Sequence, residues 1–267
     1  MVQDKITGDR GAYLKRIKRG KQSVIIGRWL LLLGLLLVWE LGNVFGYIDV
    51  FLLSSPSRIV KTALNLIRQG DLFMHIGVTL WETLLGFFIG GAAGMLLAVL
   101  LWWSDYMSRV MDVYIVVLNS LPKIALGPIL IVWIGAGMPA IVAMAVLISI
   151  VATLMTTLTG FREVPQEKIF LMRSFGASKW QILTMVILPA SVPSMLAALK
   201  LNIGLSWVGV IVGEFLVSKA GLGYLIVYGG QVFKLDLVMT ATVILCILAA
   251  GMYFAVAWLE KKSAASR

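Results

Sequence analysis

The segment SFGASKWQILTMVILPASVP, residues 174–193, passes from a polar corner into a long apolar run, and this order predicts a helical hairpin at the entry to a membrane-spanning helix. Gly176 can take the left-handed backbone conformation that commonly ends a helix. Ser178 and Gln181 have the S-x-x-Q spacing of a capping box, in which the side chain of each residue binds the backbone of the other. The segment therefore predicts a helix, a glycine corner and a second helix.

The first helix of this hairpin carries more apolar residues than a simple connection needs. Pro165 suits its first turn, and Glu167 lies where the helix dipole favours an anion. Residues 169–172 are apolar, and Phe175 adds an aromatic ring before the corner. Exposed apolar residues on a capped helix indicate a docking surface for another protein, and an amphipathic helix lying on the inner leaflet is the alternative.

The composition of the whole chain requires lipid as the main solvent. The chain has 267 residues and is 60% hydrophobic and 13% charged. A soluble domain of this size would leave too much apolar surface in water, whereas about 20 apolar residues in a helix cross the hydrocarbon core. Six apolar runs are long enough, at 24–45, 79–103, 110–134, 138–160, 183–216 and 237–258. The chain is therefore predicted to be an all-α polytopic membrane protein with six transmembrane helices.

Positive charge follows the positive-inside rule. The first apolar run is too long for a signal peptide and lacks a small-residue cleavage site, so we expect it to be retained. Lys and Arg cluster before it, and an even number of spans then places both termini and the loop after the fourth span in the cytoplasm. These topology signals and anionic lipid headgroups explain the net charge of +10, so no nucleic acid partner is expected.

Four regions follow from this pattern. They are a cytoplasmic basic arm at 1–22, the first span with an external amphipathic helix at 23–77, a core of five helices at 78–260 with a connecting loop at 161–182, and a cytoplasmic tail at 261–267. In the second region Ser55 can cap a helix, Pro56 suits its first turn and Gly70 suits its exit. That helix has opposite apolar and charged faces, and it is too short and too charged to cross a bilayer.

The chain offers little metal-binding or redox chemistry. His75, the single histidine, has no cluster of ligand-type residues nearby in the sequence and is interpreted as an interfacial polar residue. Cys246, the single cysteine, excludes an internal disulfide and is interpreted as a core residue of the last span. No metal site is predicted.

The spans contain signs of close packing and of a polar path. Gly86, Gly90 and Gly94 recur at four-residue spacing, which lets helix backbones approach closely in lipid. The third span contains two prolines, and the backbone groups that they free must be satisfied by protein or water. Candidate path-lining residues are Asn119, Ser120, Lys123, Asn202, Ser206 and Trp207. Ordinary hydrogen bonding between helices accounts for each of them equally well, although a buried Lys123 would be costly without a partner or water.

Several motifs, in order along the chain, carry a resemblance to a known family. GASKWQILTMVILP, residues 176–189, is similar to the cytoplasmic coupling loop of binding-protein-dependent ABC importer permeases, which runs from a glycine to a leucine and a proline. TLWETLLGFFIGGAAG, LPKIALGPILIVWIGAG and VGEFLVSKAGLGYLI resemble permeases of the nitrate, sulfonate and taurine branch, which also serves thiamine-precursor uptake. The resemblance covers nearly the whole chain after residue 50. It departs at the family's E-A-A positions, which are Phe170, Leu171 and Met172 here.

The resemblance implies a homodimer of six-span subunits, two cytoplasmic ATPase subunits and an external solute-binding protein, in the inner membrane of a prokaryote. ATP and Mg²⁺ would bind to the ATPase, because this sequence lacks the phosphate-binding loop G-x-x-x-x-G-K-[ST] and is not expected to be an enzyme. The resemblance assigns ATPase coupling to Glu167, Phe170, Arg173, Phe175, Gly176, Ala177, Ser178, Lys179 and Trp180. Pro189 and Pro193 interrupt regular hydrogen bonding in the span that follows, which favours a bend there.

Two other functions are compatible with a polytopic chain. An ion-coupled secondary transporter or channel usually has acidic residues deep in the membrane, whereas Glu40, Glu82 and Glu214 lie near the external ends of their spans. A membrane enzyme would need clustered His, Asp or Cys residues, which the sequence lacks. The resemblance implies a small solute such as an organic sulfonate, taurine, nitrate or a thiamine precursor, and a cationic path would favour the anions.

The predicted topology can be tested by labelling single cysteines with a membrane-impermeant maleimide from the external side. In a background without Cys246, the variant Gln69→Cys should react, because its position lies at the end of the external amphipathic helix. The variant Gln166→Cys should be protected, because its position lies in the cytoplasmic loop. The reverse labelling pattern would contradict the number of spans.

Overall fold

The computed structural model describes residues 2–47 and 49–265, and these residues form helices without any β-strand, as predicted. The chain divides into two compact units, Met1–Thr62 and Ala63–Arg267. Part of the predicted cytoplasmic tail, residues 266–267, lies outside the described residues.

The first unit is formed mainly by one long helix. Helix α1 runs over Val2–Val44, so residues 2–22 of the predicted basic arm are the helical start of this element, and its apolar part begins at Gln22. A short helix α2, Val50–Leu53, precedes α3, Pro56–Gln69. The Glu40 carboxylate accepts hydrogen bonds from the Ser57 backbone N–H at 3.1 Å and from the Ser57 hydroxyl at 2.7 Å. Glu40 thus stabilises the free N–H groups at the start of α3.

Helix α3 has the amphipathic character that the sequence predicts. It begins at Pro56, and the Ser55 hydroxyl accepts a hydrogen bond from the backbone N–H of Arg58 at 3.4 Å. Gly70, with a φ of 85°, separates α3 from the next helix. Ile59 is buried, whereas Val60 and Leu64 on the apolar face are 59% and 49% exposed. A largely uncovered apolar face is what a helix lying in a lipid interface presents.

Three long helices form the centre of the second unit. They are α4 (Asp71–Trp103), α7 (Met138–Arg162) and α10 (Leu188–Val217). A side chain at Gly91 or Gly94 of α4 would collide with Asn202 or Thr153, at 2.8 Å in each case. A side chain at Gly209 of α10 would lie 2.9 Å from the backbone nitrogen of Ala145. These glycines allow the close backbone approach that their spacing predicts for α4.

Polar side chains reinforce the contacts between the three helices. The Asn202 amide of α10 donates to the carbonyl of Phe87 in α4 at 2.8 Å. The Ser191 hydroxyl of α10 donates to the carbonyl of Gly160 in α7 at 3.0 Å. Asn202 and Ser191 are both almost completely buried. Hydrogen bonds of this kind hold helices together in lipid, where water does not compete for the donors.

The third span, predicted at 110–134 with two prolines that disturb it, is a bent pair of helices in the structure. Helix α5, Asp105–Ser120, is followed by a 3₁₀ turn at Lys123–Leu126 and by α6, Gly127–Ile134. The two helical halves meet at 84°. Leu121 is extended because the proline that follows it disfavours a helical conformation. The described residues contain five helices that are long and apolar enough to cross a membrane, or six crossings if the bent pair counts as one.

The remaining helices cover one side of the centre. Helix α11, Leu222–Gln231, and α12, Leu235–Ala265, pack together around a buried cluster that includes Trp207, Leu225 and Ala241. Cys246 on α12 is exposed, so its interpretation as a core residue is wrong. The outermost helix buries one face only, and a cysteine on its other face is apolar enough for lipid or a protein partner.

The close approach of the helices predicts that alanine substitutions at two glycines of α10 change the thermal stability differently. Gly209→Ala should lower the midpoint of thermal unfolding in detergent, because its Cβ would meet the Ala145 backbone and overpacking costs about 1–3 kcal/mol. The control Gly204→Ala should leave the midpoint unchanged or raise it, because no atom of the described residues outside its own helix lies within 4 Å of the new Cβ. Equal midpoints for the two variants would contradict this packing.

Candidate functional site

The predicted hairpin is present, and its corner is a complete helix-ending motif. Helix α8 runs over Gln166–Ser174, directly after Pro165. Gly176 has a φ of 76°. The N–H of Gly176 donates to the carbonyl of Arg173 at 2.9 Å, and that of Ala177 donates to the carbonyl of Met172 at 3.0 Å. This pair of bonds defines the Schellman motif, which requires the left-handed residue at Gly176.

The second helix of the hairpin begins with the predicted capping box. The Ser178 hydroxyl accepts from the N–H of Gln181 at 3.3 Å, and the Gln181 side chain accepts from the N–H of Ser178 at 2.7 Å. Helix α9 then runs over Lys179–Ile182. The two motifs satisfy the backbone at the corner from within the hairpin, so its shape does not depend on a partner.

The base of the hairpin is buried in the protein. Ile169 of α8 and Ile182 of α9 are 7% and 3% exposed, and they pack in a cluster with Leu101, Leu158 and Phe161. The ends of α4 and α7 supply these partners. Burial of this size fixes the hairpin to the centre of the second unit.

The outer surface of the hairpin carries large exposed aromatic rings. Phe170, Phe175 and Trp180 are 73%, 78% and 61% exposed, and Glu167 and Arg173 are also exposed. Aromatic side chains held at the surface by a rigid, buried base are typical of protein interaction sites.

Lys179 makes contacts that the sequence did not predict. Its Nζ atom donates a hydrogen bond to the carbonyl of Trp103 at 2.5 Å. Trp103 is the last residue of α4. The same atom lies 5.9 Å and 5.8 Å from the ring centres of Trp102 and Trp103. The Trp103 and Trp180 rings are also adjacent, at 6.4 Å. A lysine at the negative end of a helix dipole, over two indole rings, ties the hairpin to α4.

A second polar contact lies at the same end of the helices. The Arg162 guanidinium at the end of α7 donates to the Ser108 hydroxyl at 2.6 Å and to the Asp112 carboxylate at 2.9 Å. Ser108 and Asp112 lie in α5. The loop at 161–182, which contains the hairpin, thus contacts α4, α5 and α7.

An irregular turn joins the hairpin to α10. Residues Leu183–Ile187 form a π-helix directly before α10, whose second residue is Pro189, and α10 continues helically through Pro193. The predicted interruption is therefore confirmed before Pro189, while Pro193 lies within the regular helix. Widened turns of this kind accommodate prolines and lost hydrogen bonds. The continuous helical element is Lys179–Val217.

The six candidate path residues fall in two different environments. Asn202 and Ser206 are completely buried, and the Ser206 hydroxyl donates to the Asn202 side chain at 3.1 Å. Trp207 is also buried, and its indole N–H has no hydrogen-bond partner in the described part of the chain. By contrast, Asn119 and Ser120 are exposed at the break in the third span, next to Lys123.

Lys123 is half-buried at that break. Its Nζ atom donates to the carbonyl of Asn119 at 3.0 Å, at the end of α5. The Ser120 hydroxyl donates to the carbonyl of Val116 at 2.9 Å. At the break, the carbonyl groups of Val116 and Asn119 in the last turn of α5 are thus hydrogen-bonded, and the cation of Lys123 lies at this helix end.

His75 differs from its interpretation as an interfacial residue, since it is buried. Its Nδ1 atom accepts a hydrogen bond from the backbone N–H of Gly221 at 2.9 Å, and its ring stacks at 6.0 Å on that of Tyr224. Gly221 directly precedes α11, 146 residues away in the sequence. Over residues 2–47 and 49–265, no group of three or more His, Cys, Asp or Glu side chains is placed to hold a metal ion.

Comparisons with known proteins agree with this architecture. The family model of the binding-protein-dependent transport system inner membrane component matches residues 90–264. The chain is 29% identical over 223 residues to the putative aliphatic sulfonates transport permease protein SsuC of Escherichia coli, covering 84% of this chain and 85% of that one. It is 31% identical over 232 residues to a probable ABC transporter permease protein of Haemophilus influenzae, covering 86% and 94%.

A solved structure shares the fold. The chain matches the inward-facing methionine ABC transporter MetNI with a TM-score of 0.62 at 22% identity, over 72% of this chain and 97% of the matched chain. Since the family model covers well over half of the chain, this protein belongs to the inner membrane permeases of binding-protein-dependent ABC transport systems.

Proposed function

We propose that two copies of this chain form the translocation path of an ATP-driven importer, with two ATPase subunits on the cytoplasmic side and a solute-binding protein outside. The observation that carries this proposal is the hairpin of α8 and α9. It is capped from within, buried at its base and aromatic at its exposed surface. Family membership also favours an ATP-driven importer over an ion-coupled transporter or channel.

In this proposal the hairpin is the ATPase-docking element, and ATP and Mg²⁺ bind to the ATPase. The family's E-A-A positions hold Phe170, Leu171 and Met172, of which the first two are 73% and 55% exposed. We therefore expect the docking groove of the ATPase to be more apolar here than a groove that receives an acidic residue. Glu167 and Arg173 of the hairpin provide charges at the rim of its apolar docking surface.

Motion of the hairpin reaches the membrane by two connections. The first is covalent, from α9 through the π-helical turn into α10. The second is the contact of Lys179 with Trp103 at the end of α4. Because α4 and α10 both pack closely on α7 through glycines, and Gly91 of α4 lies against Asn202 of α10, a push on the hairpin moves both helices together. Access to the path would then switch from one side of the membrane to the other.

We infer that the solute is a small anion such as an organic sulfonate, taurine or nitrate. The alternative solute is a thiamine precursor, which would be uncharged or cationic. The E. coli relative named for aliphatic sulfonates supports this inference. Lys123 supplies a cation at the break of the third span, where Asn119 and Ser120 add exposed polar groups. Asn202, Ser206 and Trp207 would line the path only where a second copy or a moving helix exposes them.

The proposed partnership predicts where ATP hydrolysis occurs. The purified chain alone should show no hydrolysis, because it lacks a phosphate-binding loop. Co-expressed with the ATPase subunit of its transporter, it should co-purify as a complex that hydrolyses ATP. Hydrolysis by the isolated chain, or failure of the ATPase to co-purify, would overturn the proposal.

The corner of the hairpin predicts a graded response at Gly176. Gly176→Val should insert normally but lose ATPase co-purification and uptake, because a β-branched residue at a φ of 76° costs about 1–2 kcal/mol and changes the direction of the corner. Gly176→Asn should retain both, since asparagine tolerates this conformation. The new Cβ meets no described atom within 4 Å, so backbone strain alone separates the variants. Uptake at the wild-type rate by Gly176→Val would identify the segment as an ordinary loop.

The Lys179 contact predicts a loss of coupling without loss of docking. Lys179→Met should still bind the ATPase but should lower uptake per ATP hydrolysed by about tenfold, the scale of one charge-assisted hydrogen bond. Lys179→Arg should restore much of the lost uptake per ATP hydrolysed, because arginine can also donate to the Trp103 carbonyl. Normal coupling in Lys179→Met would show that the contact only stabilises the fold.

Lys123, at the break of the third span, should affect transport alone. Lys123→Ala should alter uptake and leave ATPase binding unchanged.

A further inference from the structure

Helix α5, the first half of the bent third span, is held to the centre of the second unit by one narrow face. Ser108 and Ile115 are the buried residues of α5. Asp112 lies between them at four-residue and three-residue spacing, so the three side chains share a face. Val113 and Val117, on other faces, are exposed. The contacts of this single face therefore set the position of α5.

Arg162 of α7 supplies the polar contacts of that face. Its Nη2 atom donates to the Ser108 hydroxyl at 2.6 Å and to the Asp112 carboxylate at 2.9 Å. Ser108 is buried, whereas the side chains of Arg162 and Asp112 are about half exposed. An ion pair with this much exposure adds little to the stability of a fold. The pair is therefore better explained by where Arg162 lies in the chain.

A short and fixed segment joins Arg162 to the hairpin. Arg162 is the last residue of α7, and α8 begins four residues later at Gln166. Between them, Val164 is 5% exposed and packs in the same apolar cluster as Ile169 of α8. The segment is packed against its neighbours and has no slack, so a shift of α8 displaces Arg162 as well.

A cavity of 140 Å³ lies between α5 and α8 beside this contact. Its lining includes Asp105 and Ser108 of α5, Arg162 of α7, and Gln166 and Ile169 of α8. The cavity separates the two helices at this point, and Arg162 lies at its wall with hydrogen bonds to α5. Arg162 is thus the bridge between α5 and the segment that leads into the hairpin.

We propose that Arg162 is a positioning residue that makes α5 follow the hairpin, so that motion of the hairpin moves the polar break of the third span. This inference rests on the proposed import function. The break lies at the far end of α5, where Lys123 donates to the carbonyl of Asn119. A helix carries a displacement from its start to its end, because its backbone is hydrogen-bonded internally. This connection is separate from those through α10 and Lys179.

Charge reversal tests the pair. Arg162→Glu places two carboxylates together, and Asp112→Arg places two guanidinium groups together. Each variant should keep ATPase co-purification, because the exposed surface of the hairpin is unchanged, and should lower uptake per ATP hydrolysed by about tenfold. The double variant should regain most of that loss, since the pair forms again with opposite polarity and a hydroxyl such as that of Ser108 can donate as well as accept. Arg109→Glu, at an exposed arginine of α5 outside the pair, is the control and should stay near wild type.

The distance between α5 and the hairpin supplies the direct readout. Spin labels at Val117→Cys and Ser174→Cys, in a background without Cys246, would be placed in one copy of the complete complex with its ATPase. In the otherwise wild-type protein this distance should be the same in nucleotide-free and nucleotide-trapped states. Arg162→Glu should make it differ between the two states, and the double variant should make the distances equal again.

Three results would overturn the proposal. They are wild-type coupling in Arg162→Glu, no recovery in the double variant, and a distance that changes in the otherwise wild-type protein. Loss of ATPase co-purification in Arg162→Glu would also overturn it, because Arg162 would then shape the docking surface. If neither single variant folds, the double variant and the wild-type distance still decide. Failure of the proposed import function would look different, as an ATPase that does not co-purify with the wild-type chain.

Discussion

The structure depends on the close approach of the backbones of α4, α7 and α10. Gly94 and Gly209 have no room for a side chain at these contacts, so the helices interlock in one relative position. Lipid supplies no hydrophobic force between helices, and van der Waals contact with buried hydrogen bonds such as Asn202 to Phe87 must hold them. The buried base of the hairpin and the hydrogen bonds of Glu214 at the start of α11 both depend on this centre.

The two ends of α4 and α10 are joined in related ways. At one end Lys179 binds the last carbonyl of α4, and at the other end Glu214 receives donors from α4 and from the start of α11. Each contact satisfies backbone groups at a helix terminus, which would otherwise be costly away from water. In the proposed mechanism, a displacement of the hairpin would pass along two antiparallel helices that are hydrogen-bonded to each other at both ends.

The sequence predicted the features that depend on neighbouring residues. The Gly176 corner and the Ser178 capping box obey rules that span a few positions, and the small-residue spacing of α4 is equally local. The two prolines of the third span predicted a disturbed helix there, but they did not predict the angle of 84° between its halves. The extended conformation of Leu121 could have been predicted, because a residue before a proline is disfavoured in a helix.

Partners that are distant in the chain could not be predicted. His75 accepts from Gly221, and Glu214 from Thr79, across 146 and 135 residues, and neither side chain has a local pattern that names its partner. The family resemblance assigned Lys179 to ATPase coupling and did not indicate that its Nζ atom binds Trp103 within the chain. Such pairings follow from the packing of the three central helices.

The central claim is that the hairpin and α10 move as one rigid body. Spin labels at Ser174→Cys and Lys219→Cys, in a background without Cys246, would report the distance between the hairpin and the residues just after α10. In a complex with its ATPase and one unlabelled copy, this distance should stay the same between nucleotide-free and nucleotide-trapped states. The distance between the Lys219→Cys labels of two labelled copies should change. A change in the first distance would show that the hairpin swings independently of α10 and would contradict the account.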